Sequence, residues 1–171
     1  ESYVNLPDWD GGFVDAGLTD LGKQQSERVA RWLAERLTID ALYTSTMVRA
    51  RDTAQYIARV AGIEPQPDDR LREFGNCFAD GRPVPLDDGA RIEYPADWWG
   101  TQRPNTRIAP DGESWMLFRA RVSAFIEAIT DAYGTRDPQA TAIAVCHGGV
   151  IEAAFDHVFN VGERRRVEIW N

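Results

Sequence analysis

The chain has 171 residues, 43% of them hydrophobic, which is enough for one domain with a sizeable buried core. Its formal net charge of -8 argues against nucleic acid and anionic membrane surfaces as partners, because both need a basic footprint; an anionic small substrate would require a local cluster of cations. Cys77 and Cys146 lie far apart and form no disulfide framework, and two histidines give no zinc-type ligand spacing, so metal-independent, cofactor-free chemistry in the cytoplasm is favoured, with no membrane span or signal peptide.

Glu1 to Asp15 is polar, Gly-rich and aromatic, and reads as a loop leaving some earlier element. The chain lacks an initiator Met and its last residues, Val167 to Trp170, read as a strand without a partner, so both ends are expected to be truncated. Thr19 is placed to cap a helix running to about Leu37, with Val29, Trp32, Leu33 and Leu37 as the inner face. Gly17 to Gln24 nearly matches a phosphate-binding P-loop, but Gln24 stands where Ser or Thr should hold magnesium and no strand precedes it. Ile39 to Thr44 reads as a short strand. The helix after it buries Met47, Ala50, Ala54, Ile57, Ala58 and Ala61, and ends at Gly62. Ser45 or Thr46 can cap it. Arg49, near its first turn, is disfavoured by the helix dipole and should have an anionic partner, whether a substrate or a surface carboxylate such as Asp52.

From Ile63 to Pro110 the composition changes: seven of the nine prolines fall here, which favours a long structured loop or cap (63–111), in which Trp98, Trp99 and Phe78 supply aromatic surface. Glu113 to Tyr133 is an amphipathic helix with Phe118, Val122, Phe125, Ile126, Ile129 and Tyr133 inward. Thr141 to Cys146 is a buried strand ending at His147. Gly148 and Gly149 then allow a tight turn into a helix with Val150, Ile151, Ala154, Phe155 and Val158 at helical spacing. Such a junction aims free N–H groups and the positive end of a helix at whatever lies above the strand, a ready anion site. Arg164 to Arg166 reads as a solvated turn.

Helices alternating with short buried strands predict an open, mainly parallel α/β sheet with helices on both faces and ligands at the strands' C-terminal ends. If the strands ending at Thr44 and Cys146 are neighbours, Arg49 and His147 share one crevice. Phosphoryl oxygens suit such a site, since they accept charge-assisted hydrogen bonds from guanidinium groups and helix N-termini. Other chemistries fit less well. Cys146 lacks the arginine six residues later that a cysteine phosphatase needs, which here is Glu152, and there is neither a G-x-S-x-G elbow nor a C-x-x-C pair.

The motifs resemble those of the histidine phosphatase superfamily, with its phosphoglycerate mutase-like fold. Leu18-Thr19-x-x-Gly22-x-x-Gln25, Ser45-x-x-x-Arg49-Ala50-x-x-Thr53-Ala54, Leu71-x-Glu73 with Gly75, Gly112-Glu113-Ser114 and His147-Gly148-Gly149 occur in the family's order. The opening Glu1-Ser2-Tyr3-Val4-Asn5 resembles the stretch that follows the family's Arg-His-Gly, which would lie just before Glu1. The resemblance implies a three-layer α/β/α domain over 1–171 with a loop-rich cap. It implies a phosphohistidine intermediate on the missing histidine, with Arg49 and His147 holding the phosphoryl group. Asn5, Gly11, Gly12 and Gly148 are implied around the substrate, and Glu73 as the acid that protonates the leaving alcohol. Free glutamate, with a pKa of about 4.3, is almost wholly ionised at neutral pH, so an acidic-to-neutral optimum is expected. The alternative for Glu73 is a surface carboxylate paired with Arg70 or Arg72.

Within the family, mutases usually carry Asn after the His-Gly pair and Thr-Gly in the first loop, where this chain has Gly149 and Gly11-Gly12. That departure favours a phosphomonoesterase acting on a small phosphoester, with Trp98-Trp99 and Phe78 shaping the pocket for its organic part. A mutase-type phosphotransferase and an inactive phospholigand-binding module are the alternatives. Nothing in the sequence signals oligomeric state.

Overall fold

The computed structural model describes residues 1–9, 15–75, 78–85, 103–107, 112–134 and 139–159. Gly11, Gly12, Cys77, Trp98, Trp99, Arg164 to Arg166 and Val167 to Trp170 lie outside the described residues.

After one 3-10 turn at Tyr3–Asn5 comes helix α1, Asp20–Ala34. Thr19 caps it as expected: its Oγ1 accepts from the Gly22 N–H at 3.0 Å and donates to the Glu1 carboxylate at 2.9 Å. Gly22 is required by close approach, since a Cβ there would collide with the Glu1 carbonyl. Strand β1 (Ala41–Ser45) leads into helix α2 (Val48–Ala61), which ends at Gly62. Gln66–Asp68 is strand β2, and Phe78–Ala79 and Arg82–Pro83 form a short antiparallel pair, β3 and β4. Helix α3 (Trp115–Ile129) is capped by Ser114 and followed by a π-helical turn to Gly134; strand β5 (Ala142–Val145) and helix α4 (Gly148–Val158) complete the described chain. No helix among the described residues is long and apolar enough to cross a membrane.

The main sheet has the order β2-β1-β5 and is parallel throughout, with Ser45 beside Asp68 and Thr44 beside Val145. This is the expected α/β architecture. Residues 66–68 lie within the stretch read as a cap, yet they pair into the main sheet. Alternation along β1 sorts the two layers of helices: Leu42 packs with Ala30, Ile57 and Ala58 of α1 and α2, while Tyr43 packs against Leu71, Phe118, Val122, Phe125 and Val150 on the α3 and α4 side. The strands ending at Thr44 and Cys146 are therefore adjacent.

Two helix faces differ from the sequence expectation. In α1 the buried residues are Gly22, Ser26 and Ala30, with Leu33 packed behind them, while Val29 and Trp32 are 48% and 54% exposed, and the helix ends before Leu37, which is 41% exposed. Size decided this rather than hydrophobicity: small residues let α1 approach α2, where Ala50 and Ala54 are equally small and Ser26 Oγ lies 3.4 Å from Thr53 Oγ1. The Arg36 guanidinium covers the Trp32 ring at 4.8 Å. In α4, Val150 and Ala153 are buried, whereas Ile151, Phe155 and Val158 are largely exposed. On α2 and α3 the expected faces hold: Met47, Ala50, Ala54, Ile57 and Ala58 are buried, as are Phe118, Val122 and Phe125.

Candidate active site

The site forms where β1 and β5 end. His147 occupies the N-cap position of α4 but makes no capping bond with its side chain; the ring is turned to β1, where Nε2 lies 2.9 Å from Ser45 Oγ. His147 is 7% exposed and Ser45 fully buried. Burial first, then the nearby charges of Arg49 and Arg121, push the His147 pKa down from 6.5 to about 3. The ring is thus neutral at physiological pH, in the field of two arginines.

This depression has a consequence for stability. The unfolded chain takes up a proton near pH 6.5 while the folded one refuses it until about pH 3. The contribution is therefore fully present above the unfolded value and is lost as pH falls between the two, with a slope of up to about 1.4 kcal/mol per pH unit. We expect the melting temperature to fall more steeply from pH 6.5 to 4 in the wild type than in His147→Asn. Parallel curves would show that burial does not hold the ring neutral. Asp15 and Glu113, whose carboxyls burial raises, act in the opposite sense but are common to both proteins.

Arg49 lies one residue into α2. The expected caps, Ser45 and Thr46, do not cap this helix: Met47 holds the N-cap position without a side-chain bond, and the carboxylate of Asp15 reaches in to accept from the Val48 N–H at 2.7 and 2.8 Å. The same carboxylate is 3.6 Å from the Arg49 guanidinium, so Asp15 is an anion beside Arg49. A partner so far back in the chain fills the helix N-terminus and fixes Arg49 at the same time.

Glu73 follows the 3-10 turn at Asp69–Leu71. Its neighbours find other partners, Arg70 with Asp68 at 2.6 Å and Arg72 with Asp69 at 2.7 Å. The Glu73 carboxylate accepts from the Phe74 N–H at 2.8 Å and faces the Gly149 N–H at 3.4 Å, in the first turn of α4. Gly149 is what permits this approach, because a Cβ there would stand 2.5 Å from Glu73 Oε1 and 3.4 Å from the Phe118 ring. Gly148 has open space around it. The Asn5 Oδ1 accepts from Ser2 Oγ at 2.6 Å.

Arg121 was not legible as a site residue. It is 10% exposed in its side chain and makes a two-pronged pair with Glu113 at 2.6 and 2.9 Å, while also donating to the carbonyls of Arg70, Arg72 and Glu73 at 2.7, 2.8 and 3.1 Å. Its guanidinium lies over the rings of Phe78 and Phe118 at 4.4 and 4.6 Å. One side chain thus ties the Gly112-Glu113-Ser114 segment to the loop carrying Glu73. A usable signal was present: Arg121 falls within the apolar stripe of α3, between Phe118 and Val122. Replacing it by Leu strands a buried Glu113 and three carbonyls, and we expect about 3–5 kcal/mol of lost stability by urea unfolding, partly recovered in Arg121→Leu/Glu113→Gln. A loss below about 1 kcal/mol would show that the pair is structurally idle.

Cys146 is no competitor as a nucleophile, since burial pushes its thiol up to about 11 and keeps it protonated. Phe78 packs on Met47 and borders a cavity of about 350 Å³ that Asp80, Arg107, Leu117 and the Glu113–Arg121 pair also line.

A family model described as the histidine phosphatase superfamily (branch 1) matches residues 5–169. The chain belongs to the histidine phosphatase superfamily. Among curated relatives it is similar to phosphoglycerate mutase-like protein 4 of Arabidopsis thaliana, 31% identical over 148 residues, a match that takes in 85% of this chain and 61% of the relative. It is similar, too, to an Escherichia coli O1:K1 protein that carries the name Probable phosphoglycerate mutase GpmB, 31% identical over 123 residues, 70% of this chain and 54% of the relative. The chain thus spans under two thirds of both relatives' lengths. Among solved structures, a mycobacterial glucosyl-3-phosphoglycerate phosphatase aligns with a TM-score of 0.66 and 26% identity, covering 88% of this chain and 71% of that one. These likenesses give it the phosphoglycerate mutase-like fold of that superfamily.

Proposed function

We propose that this histidine phosphatase is a phosphomonoesterase working through a phosphohistidine. The observation that carries the reading is a neutral, buried His147 in the field of Arg49 and Arg121 where β1 and β5 end, with a Glu73 carboxylate held over the first turn of α4. Arg49 and His147 hold the phosphoryl oxygens. A histidine expected ahead of Glu1 attacks phosphorus, the ester P–O bond breaks, and Glu73 gives its proton to the departing alkoxide. Water, losing a proton to the Glu73 carboxylate, then attacks phosphorus, and the P–N bond breaks to release inorganic phosphate. Asn5, Gly11, Gly12 and Gly148 would flank the substrate. Trp98, Trp99 and Phe78 would face its organic part. A likeness to a glucosyl-3-phosphoglycerate phosphatase favours small phosphorylated organic acids and their derivatives as first substrates to try.

The mutase reading is favoured by the names of the two curated relatives. The full natural chain, assayed on a panel of phosphomonoesters without a bisphosphate primer, should release inorganic phosphate. Release of no phosphate, with an isomer formed only when primer is added, would replace this reading by the mutase one. Binding of phosphoesters without either reaction would leave the binding-module reading.

A further inference from the structure

We propose that Ser45 sets the tautomer of His147, holding Nε2 as the acceptor so that Nδ1 carries the ring's proton and presents it to the bound guest. Ser45 ends β1, is fully buried, and has one hydroxyl proton and two lone pairs to place. One lone pair receives the Met47 N–H at 3.3 Å, and the remaining partner among the described residues is His147 Nε2 at 2.9 Å. If Nε2–H were the donor, the hydroxyl proton would be left in the interior with no acceptor among the described residues, a loss that disfavours this arrangement roughly tenfold or more. If Ser45 donates, every polar atom of the pair is used.

The neutral state of the ring makes the choice matter. A doubly protonated imidazole would donate from both nitrogens, but burial, Arg49 and Arg121 keep His147 neutral, with a single proton to place. On Nδ1 that proton is a hydrogen-bond donor to an anionic oxygen; on Nε2 it would leave a lone pair facing the anion. Ser45 is in this sense a positioning residue, acting through His147. The strand pairing that sets Thr44 beside Val145 brings the ends of β1 and β5 together, where the side chains of Ser45 and His147 meet. Use of the Nδ1 proton on a phosphoryl oxygen rests on the phosphomonoesterase reading; the tautomer does not.

Long-range proton–nitrogen correlation NMR on the ¹⁵N-labelled full natural chain reads the tautomer directly, with the signals of His147 assigned by their loss in a His147→Asn variant. The expected result is a protonated, pyrrole-type Nδ1 and a pyridine-type Nε2 for His147, kept in Ser45→Thr and shifted toward Nε2–H in Ser45→Ala. A protonated Nε2 in the wild type, or an unchanged Nδ1–H in Ser45→Ala, would overturn the proposal; the wild-type spectrum decides even if the alanine variant does not fold. Titration with inorganic phosphate then separates the two claims. Binding about tenfold weaker in Ser45→Ala supports the use of the Nδ1 proton on phosphate. His147 signals indifferent to phosphate, with Nδ1 still protonated, would remove the phosphoester reading and leave the tautomer standing.

Discussion

Arg49→Ala lowers turnover on a phosphomonoester by on the order of a hundredfold or more, with a much smaller loss of stability. The rate term follows from the proposed role of Arg49, whose charge reaches His147 and whose guanidinium would strengthen its hold as charge builds on the oxygens of the transferring phosphoryl group; losing one such donor typically costs about 10²–10³ in turnover. The stability term is small for a reason specific to this helix. The Asp15 carboxylate keeps its bonds to the Val48 N–H when Arg49 is removed, so the end of α2 stays capped. Arg49→Lys keeps the charge but not the planar fork, and should recover only part of the rate. Steady-state kinetics with urea unfolding on the same preparations separates the two effects. An unchanged turnover in a folded variant would remove Arg49 from the site.

The second large effect is expected from a position with no functional group. Gly149→Ala puts a methyl group 2.5 Å from Glu73 Oε1, and the mobile partner in that clash is the carboxylate at the end of a flexible side chain. The fold yields there cheaply, and the acid is displaced. Turnover should fall toward that of Glu73→Gln, which loses on the order of 10²–10⁴ as general acid catalysis is removed. The double variant should be no worse than Glu73→Gln alone, because both changes act on one group. Substrates whose leaving groups need no proton, such as p-nitrophenyl phosphate, should lose much less in both variants. Equal losses on activated and unactivated esters would place Glu73 outside proton transfer.

What could be read from the sequence was what depends on neighbours in the chain. The strand-to-helix junctions at Ser45 and His147 were visible as short apolar runs followed by a change to helical spacing, but the order of the strands, which makes the two junctions neighbours, was not. The buried faces of α2 and α3 followed from periodicity because their inner residues are both apolar and regularly spaced. Periodicity misled at α1, where the helix buries Gly22, Ser26 and Ala30 and leaves Trp32 and Val29 outside, since closeness of approach to α2 outweighed hydrophobic content there. It misled again at Ile151, Phe155 and Val158.

The site residues divide in the same way. Arg49, Glu73 and His147 could be proposed from motifs. Asp15, Arg121 and the Ser45–His147 bond could not, since each acts across 33, 48 and 102 residues of sequence. The Arg121–Glu113 pair is the exception: its partners stand only eight residues apart, and the cation inside the apolar stripe beside Phe118 and Val122 could have suggested it.

The phosphohistidine is tested most directly by quenching the full natural chain in base during turnover and locating the phosphoryl group by peptide mass spectrometry. The account predicts a phosphorylated histidine ahead of Glu1, stable in base and lost in acid, forming more slowly in Arg49→Ala. Phosphate found on a residue within 1–171, or turnover with no phosphorylated histidine at any time, would contradict it.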